Sequence, residues 1–193
     1  RVEGAGGVEG VHCLVTAGGT REPVDPGRYV SNRATGRLGR LLAERVLTRG
    51  GRVTLVHTGL DLPERERLES VEVETAEQMH EACLARTGYD VLVMTAAVSD
   101  FSPAPAEHKL RRSEVGDELS VEMTRTPDIL SELAERSSPG QILVGTAITT
   151  GDAVAEGRKK LEERGLDGIA SVQLSGGNGT GEELKVAVNW KDD

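Results

Sequence analysis

Aromatic side chains are almost missing from this chain, at 2% of its residues. The core must therefore be built from Val, Leu, Ile and Ala. Cysteine is nearly as scarce: Cys13 and Cys83 both sit in apolar surroundings and lack metal-ligand spacing. They read as two buried thiols of a reducing compartment. No apolar run approaches the roughly 18 residues of a membrane span, and no signal-peptide pattern opens the chain. The expectation is a cytoplasmic protein with no membrane partner. Positive charge is also short. A net charge of −9 argues against general nucleic-acid binding, where a basic surface supplies most of the affinity. An anionic substrate would need a local positive site.

What remains is ordinary for a globular domain: 193 residues, 37% hydrophobic and 28% charged, enough for one sizeable core. Residues 1–10, with four glycines and no periodicity, suggest a linker or tag remnant, and 11–193 a single domain. Val11 to Thr16 reads as a strand that ends at Gly18-Gly19, followed by a loop to about Gly36. Leu38, Leu41, Leu42, Val46 and Leu47 recur at helical spacing, and Gly50-Gly51 closes that helix. Strands are expected at 53–57, 71–74 and 91–95, with a helix over 76–86. A polar arm with two prolines covers 100–118. Alternation of Leu119, Val121 and Met123 suggests a half-exposed strand. Thr126-Pro127-Asp128 starts a helix with Thr126 as N-cap. A buried strand at 142–144, a helix over 152–164 and strands at 169–174 and 185–190 follow, the last two joined by a Gly-rich turn over 175–181. This order predicts an α/β fold: Rossmann-like, three-layered, with a mainly parallel sheet and an extended arm or hairpin.

Three segments carry candidate chemistry. Thr16-Ala17-Gly18-Gly19-Thr20 lies at the carboxyl edge of the first strand, where open α/β sheets bind ligands. Glycines there let backbone N–H groups approach phosphate, and Thr16 and Thr20 offer hydroxyls. The spacing is neither G-x-G-x-x-G nor a P-loop, so a plain tight turn is the competing reading. Second, Ser31, Asn32, Thr35 and Gly36 precede the first helix, where they can meet an anion or simply cap it, with Thr35 as N-cap. Gly39 lets that helix approach the sheet or the ligand. Third, Ala96 and Ala97 leave room for a base or an acyl group, and Asp100 suits a base amino group or a metal. Lys109, Arg111 and Arg112 concentrate positive charge as a triphosphate requires. The competing reading of that arm is a solvated charged hairpin. His57, His80 and His108 are isolated. Where a dinucleotide fold would show an acidic residue after its second strand, His57-Thr58-Gly59 stands.

The run TAGGTREPVDPGRYVSNRATGRLG resembles the opening signature of the phosphopantothenoylcysteine synthetase family, the ligase half of many bacterial bifunctional coenzyme A biosynthesis flavoproteins. TAAVSDF, KLRR and MTRTPDIL resemble the segments that follow it there. The resemblance runs from about Val11 to Leu130 and thins out to about Asp167. It implies a two-step ligation. A 4′-phosphopantothenate carboxylate attacks the α-phosphate of CTP (ATP in eukaryotic relatives), with Mg²⁺ bridging the phosphates, and cysteine then takes the acyl group. By resemblance, Asn32 contacts the acyl group and Lys109 serves acyl-nucleotide formation. Asp100, Ala96 and Ala97 stand at the nucleotide; Gly18, Gly19, Thr20 and Ser31 line the first two loops. A homodimer is also implied.

Departures from the family pattern are equally specific. Gly-Phe-Ala-Ala-Glu-Thr reads Gly145-Thr146-Ala147-Ile148-Thr149-Thr150 here. The Ala-Asn-Asp segment falls on Ala170-Ser171-Val172, and two arm lysines are Arg111 and Arg112, which keep charge but change geometry. The alternative is thus a paralogue that activates a different carboxylate, or a non-catalytic nucleotide-binding module.

Overall fold

The computed structural model describes residues 7–149, 151–173 and 185–191. In chain order its elements are β1 (His12–Ala17), β2 (Arg21–Asp25), β3 (Arg28–Ser31), α1 (Arg37–Thr48), β4 (Arg52–His57) and β5 (Leu68–Glu72). Then come α2 (Ala76–Leu84), β6 (Val91–Met94), β7 (Phe101–Pro103), α3 (Arg112–Val115), β8 (Met123–Arg125) and α4 (Ile129–Glu135). The last four are β9 (Ile142–Thr149), α5 (Ala153–Glu163), β10 (Gly168–Gln173) and β11 (Lys185–Trp190).

Alternation along β1 sorts the layers. Cys13, Val15 and Ala17 face one side and pack with Ala43 and Leu47 of α1 and with Val53 and Leu55 of β4. Leu14 faces the other side, into a larger core with Met79 and Cys83 of α2, Leu133 of α4 and Leu161 of α5. Seven strands form the central sheet in the order β11-β10-β9-β6-β1-β4-β5. All neighbours run parallel except β10 and β11. The fold is therefore the three-layer, mainly parallel α/β arrangement that the sequence predicts.

Chain order and sheet order together fix the ligand edge. From β1 the chain moves outward through β4 and β5, then returns to the other side of β1 with β6 and moves outward through β9 and β10. The switch point lies between β1 and β6, and open α/β sheets bind ligands in the crevice at the carboxyl ends of such strands. Small residues set α1 close to this edge. Gly39, Ala43 and Leu47 form its buried stripe, and a Cβ on Gly39 would lie 2.6 Å from both Ala17 Cβ and Thr95 Oγ1.

Several expectations need correction. The stretch expected as a loop before Gly36 holds the antiparallel hairpin β2–β3. Helix α1 is capped by Gly36 in a left-handed conformation, φ 69°, with no side-chain cap, so Thr35 is not its N-cap. Helix α4 is capped by Asp128, whose carboxylate accepts from Ser131 N at 3.2 Å; Thr126 instead donates its hydroxyl to Ser99 O at 2.6 Å. Leu119 and Val121 are exposed and outside any strand; only Met123–Arg125 pairs, with β7. The strand expected at 71–74 begins earlier, at Leu68, and the one at 142–144 runs on to Thr149. At the amino end, Val8 N donates to Arg49 O at 3.0 Å, so this residue is docked on the end of α1. The Gly-rich turn 175–181 and residues 1–6 lie outside the described residues.

Candidate functional site

Past the end of β1 the chain keeps its partner for three more residues. Gly18 O accepts from Ala97 N at 2.8 Å, and Thr20 N donates to Ala97 O at 3.3 Å. Gly19 and Ala97 form an isolated parallel bridge. The two loops at the switch point are thus sewn into one surface. Threonine hydroxyls complete the seam: Thr16 Oγ1 accepts from Ala96 N at 3.1 Å, and Thr20 Oγ1 from Ser99 N at 2.9 Å. Both threonines are fully buried. Their hydroxyls shape the crevice rather than face into it.

Gly18 is the tightest point. Its φ is +93°, and a Cβ there would stand 2.2 Å from Thr58 Oγ1. Thr58 backs the loop by donating its hydroxyl to Gly19 O at 2.9 Å. The hairpin closes the crevice from the other side: a Cβ on Gly19 would meet Asn32 O at 2.7 Å and Ser31 Oγ at 3.2 Å. Gly36 approaches as well, its Cβ position lying 3.1 Å from Gly18 N. Gly18, Gly19, Ser31, Asn32, Gly36 and Ala97 therefore converge on one spot. Helix α1 begins there with no acidic residue in its first turn and no side-chain cap. Its positive end is free to favour an anion.

Asn32 is bound into the same surface. Its Nδ2 donates to Ala97 O and to Val98 O, both at 3.2 Å. That occupies both amide hydrogens, and Oδ1 is the end left to accept. Thr35 Oγ1 receives only a long contact from Arg37 N, 3.4 Å. Asp100 is exposed and anchored by its backbone, its carbonyl accepting from Thr126 N at 3.1 Å.

The arm leaves this edge through the ribbon β7–β8. Lys109 and Arg111 are exposed. Arg112 pairs with Asp117 at 2.8 Å, with both side chains more than four-fifths exposed. In water that pair is weak, but it draws one of the three arm cations towards a carboxylate. The arm base is firmly held: Ala106 N donates to Val24 O at 2.9 Å, and Leu110 N to Asp25 Oδ2 at 3.0 Å. Arg28 both pairs with Asp25 and donates to Leu110 O at 2.6 Å. The Arg28 guanidinium holds the Asp25 carboxyl well below the usual carboxylate range, aided by the Gly27 and Leu110 N–H groups.

Asp25 and Arg28 lie inside the signature run and Thr58 just after the second strand, but the sequence motifs assign none of them a role. The signal for the first two was the turn Asp25-Pro26-Gly27, a sequence suited to a tight reversal. Glu22 is another such residue: buried on β2, it accepts from Ala76 N at 3.0 Å and fastens the hairpin to the start of α2. Buried His57 donates to or accepts from Ser70 Oγ at 2.8 Å and lies 3.4 Å from Leu60 N. Burial pushes its pKa down. Its bond to Ser70 ties the end of β4 to β5 next to Thr58. Among the described residues no group of three or more His, Cys, Asp and Glu could hold a metal ion, and no helix is long and apolar enough to cross a membrane.

Glycine-rich loops at the switch point of an open, mainly parallel sheet, beside the N-terminus of α1, define a Rossmann-like α/β domain. Within that class the chain belongs to the family described as the DNA/pantothenate metabolism flavoprotein C-terminal domain, which matches residues 8–193. It is 38% identical over 190 residues to the coenzyme A biosynthesis bifunctional protein CoaBC of Bacillus subtilis, covering 96% of this chain and 46% of that protein. The chain thus spans about half the length of such curated relatives. The crystal structure of the C-terminal domain of a CoaBC protein superposes with a TM-score of 0.76 at 31% identity, covering 95% of this chain and 83% of that one. A Cab2 variant solved in complex with phosphopantothenate-cysteine shares the fold, at TM-score 0.70 and 16% identity, with 95% of this chain and 81% of that chain covered.

Proposed function

We propose that this domain joins a 4′-phosphopantothenate carboxylate to the amine of cysteine, driven by a nucleoside triphosphate, CTP or ATP, in coenzyme A biosynthesis. The observation that carries the reading is the seam between Gly18–Thr20 and Ala97–Ser99. It brings the Gly18-Gly19 backbone and Asn32 together at the switch point, which supports reading this edge as an anion cradle.

In the first half-reaction a carboxylate oxygen attacks the α-phosphorus and pyrophosphate leaves. Gly18, Gly19 and the start of α1 at Thr35 and Gly36 offer backbone N–H groups and a positive helix end for phosphate oxygens. Ser31 adds a hydroxyl, and Ala96 and Ala97 keep the floor flat for the nucleotide. Lys109, with Arg111 and Arg112, neutralises the departing pyrophosphate, where fixed positive charge has its largest effect. In the second half-reaction the cysteine amine attacks the acyl carbonyl, the amide bond forms, and the nucleoside monophosphate leaves with the acyl–phosphate bond electrons. Asn32 Oδ1, left to accept, holds one N–H of the incoming amine. A bound Mg²⁺ would supply positive charge against the triphosphate. Asp100 is the exposed carboxylate beside the seam able to contribute to its shell, consistent with magnesium's habit of using one or two carboxylates plus phosphates.

The unit proposed is the single domain over 11–193, working in the cytoplasm as a homodimer, with small-molecule substrates and no nucleic-acid or membrane partner. Tyr29, Val30 and Phe101, all exposed on the hairpin and ribbon, supply apolar surface for a second copy. The test is pyrophosphate release from CTP and from ATP with 4′-phosphopantothenate, with and without cysteine. Release that depends on the acid, followed by cysteine-dependent product, is expected. Nucleotide binding with no release for any carboxylate would point instead to a binding module.

A further inference from the structure

Asp25 is an anomaly of exposure. Its neighbours Pro26, Gly27 and Arg28 at the hairpin tip are exposed, yet the Asp25 carboxylate is fully shielded. A buried carboxylate is tolerated only when its oxygens are satisfied, and four donors converge on this one. Gly27 N at 2.8 Å and the Arg28 guanidinium, Nε at 2.9 Å, are what a tight turn supplies by itself. Leu110 N, at 3.0 Å, is 85 positions away and has no part in the turn. Arg28 then closes the ring by donating to Leu110 O at 2.6 Å. One ion pair therefore takes both polar groups of a single arm residue. Four positions earlier, Ala106 N is held by Val24 O at 2.9 Å, on the same strand as Asp25. Residues 107–109 are bracketed between these two tethers, and Lys109 is the last residue before the clamp.

The hairpin acts as a bar with two ends. One carries Ser31 and Asn32 into the crevice, and the other grips the arm. We propose that Asp25 is a positioning residue: through the Leu110 backbone it fixes where Lys109 stands relative to the seam. The catalytic part of this proposal rests on the ligase reading of Lys109, whereas the clamp itself does not.

The experiment makes Asp25→Ala and Asp25→Asn, each in the wild-type and the Lys109→Gln backgrounds. Two quantities are read, amide exchange at Leu110 and pyrophosphate release at saturating nucleotide and acid. Asp25→Ala should speed exchange at Leu110 by roughly tenfold or more while core amides such as Leu14 keep their protection. It should lower the turnover of pyrophosphate release by roughly a hundredfold, the scale of a reacting group displaced by about 1 Å. In the Lys109→Gln background the same substitution should cost less than about threefold, because the lysine it positions is already gone. Asp25→Asn keeps a carbonyl acceptor for one N–H and should fall between. Unchanged Leu110 exchange, or an equal loss in both backgrounds, overturns the proposal. If Asp25→Ala does not fold, Asp25→Asn is judged by the same two criteria. If Lys109→Gln alone keeps the wild-type rate, the ligase role of the lysine fails and takes the catalytic part with it, and Leu110 exchange then decides the clamp by itself.

Discussion

Replacing Gly39 by alanine puts a single methyl group at the closest approach between α1 and the sheet. In an open helix this change stabilises by about 1 kcal/mol, because alanine has the better helix propensity. Here the new Cβ would stand 2.6 Å from Ala17 Cβ, 2.6 Å from Thr95 Oγ1 and 2.9 Å from Thr16 O. Two of the three are a carbonyl oxygen and a Cβ, which cannot rotate aside, and the Thr95 hydroxyl is held by its bond to Thr16 O at 2.5 Å. Relief must come from moving the helix. Overpacking of this kind costs about 1–3 kcal/mol, and three rigid neighbours place the cost in the upper half. The net expectation is a loss of about 1–2 kcal/mol, or roughly 2–8 °C in Tm for a domain of this size. Because Gly36 and the free end of α1 move with the helix, pyrophosphate release should fall by more than the fraction unfolded explains. Urea unfolding followed by steady-state rates at 20 °C, well below the transition, separates the two. A Gly39→Ala protein as stable as wild type, or more so, would show that α1 does not need this approach and would sink the packing account.

Lys109→Gln should lose roughly a hundredfold in the first half-reaction, about 3 kcal/mol of charge stabilisation, and accumulate no acyl nucleotide. If Asn32 meets the incoming amine as proposed, Asn32→Asp puts a carboxylate in its path, so acyl nucleotide should build up and be seen by mass spectrometry; its absence at normal pyrophosphate release refutes that role. Acid should weaken the fold in two stages. The pKa of His57 is lowered by burial, so its contribution is present above the unfolded value of about 6.5 and is lost as pH falls through the lower folded value. Asp25 is likewise lowered, by Arg28, so its contribution is present above about pH 4 and is lost on further acidification. A urea midpoint unchanged from pH 7 to pH 4 contradicts the His57 stage, and one unchanged on going below about pH 4 contradicts the Asp25 stage. Burial pushes Cys83 up to about 12 and also raises Cys13, so neither thiol should react with Ellman's reagent in the folded protein at pH 8. Fast labelling of either would contradict its burial.

What the sequence revealed and what it hid follow from where the information sits. The β1, β4 and β6 strands were legible as apolar runs and helix α1 from its apolar spacing and the Gly50-Gly51 stop, although Leu38 and Leu41 of that spacing are exposed and the stripe α1 buries is Gly39, Ala43 and Leu47. The hairpin was not, since every residue of β3 is exposed and no alternation marks it; its turn, Asp25-Pro26-Gly27, was the clue. Thr126 looked like a cap because the local pattern fits one. Only the fold reveals that Ser99 O lies within reach of its hydroxyl. The same holds for Thr16 and Thr20, whose place beside glycines suggested phosphate donors. Their partners, Ala96 N and Ser99 N, come from the far side of a crossover that no local window spans. Cys13 and Cys83 were legible as buried thiols because each stands among apolar neighbours with no metal-ligand spacing.

The seam at the switch point also governs when this domain becomes able to act as it folds. Thr20 and Ser99 are 79 positions apart, so the loop entropy of bringing them together must be met before either loop has its final shape. A nascent chain that has emerged only through β5 owns the glycines, the hairpin and α1, yet its cradle lacks a wall. On the proposed function, ligand capture would mark the closing of the sheet's second half onto the first, and protection by nucleotide during refolding would time that closure for the whole domain.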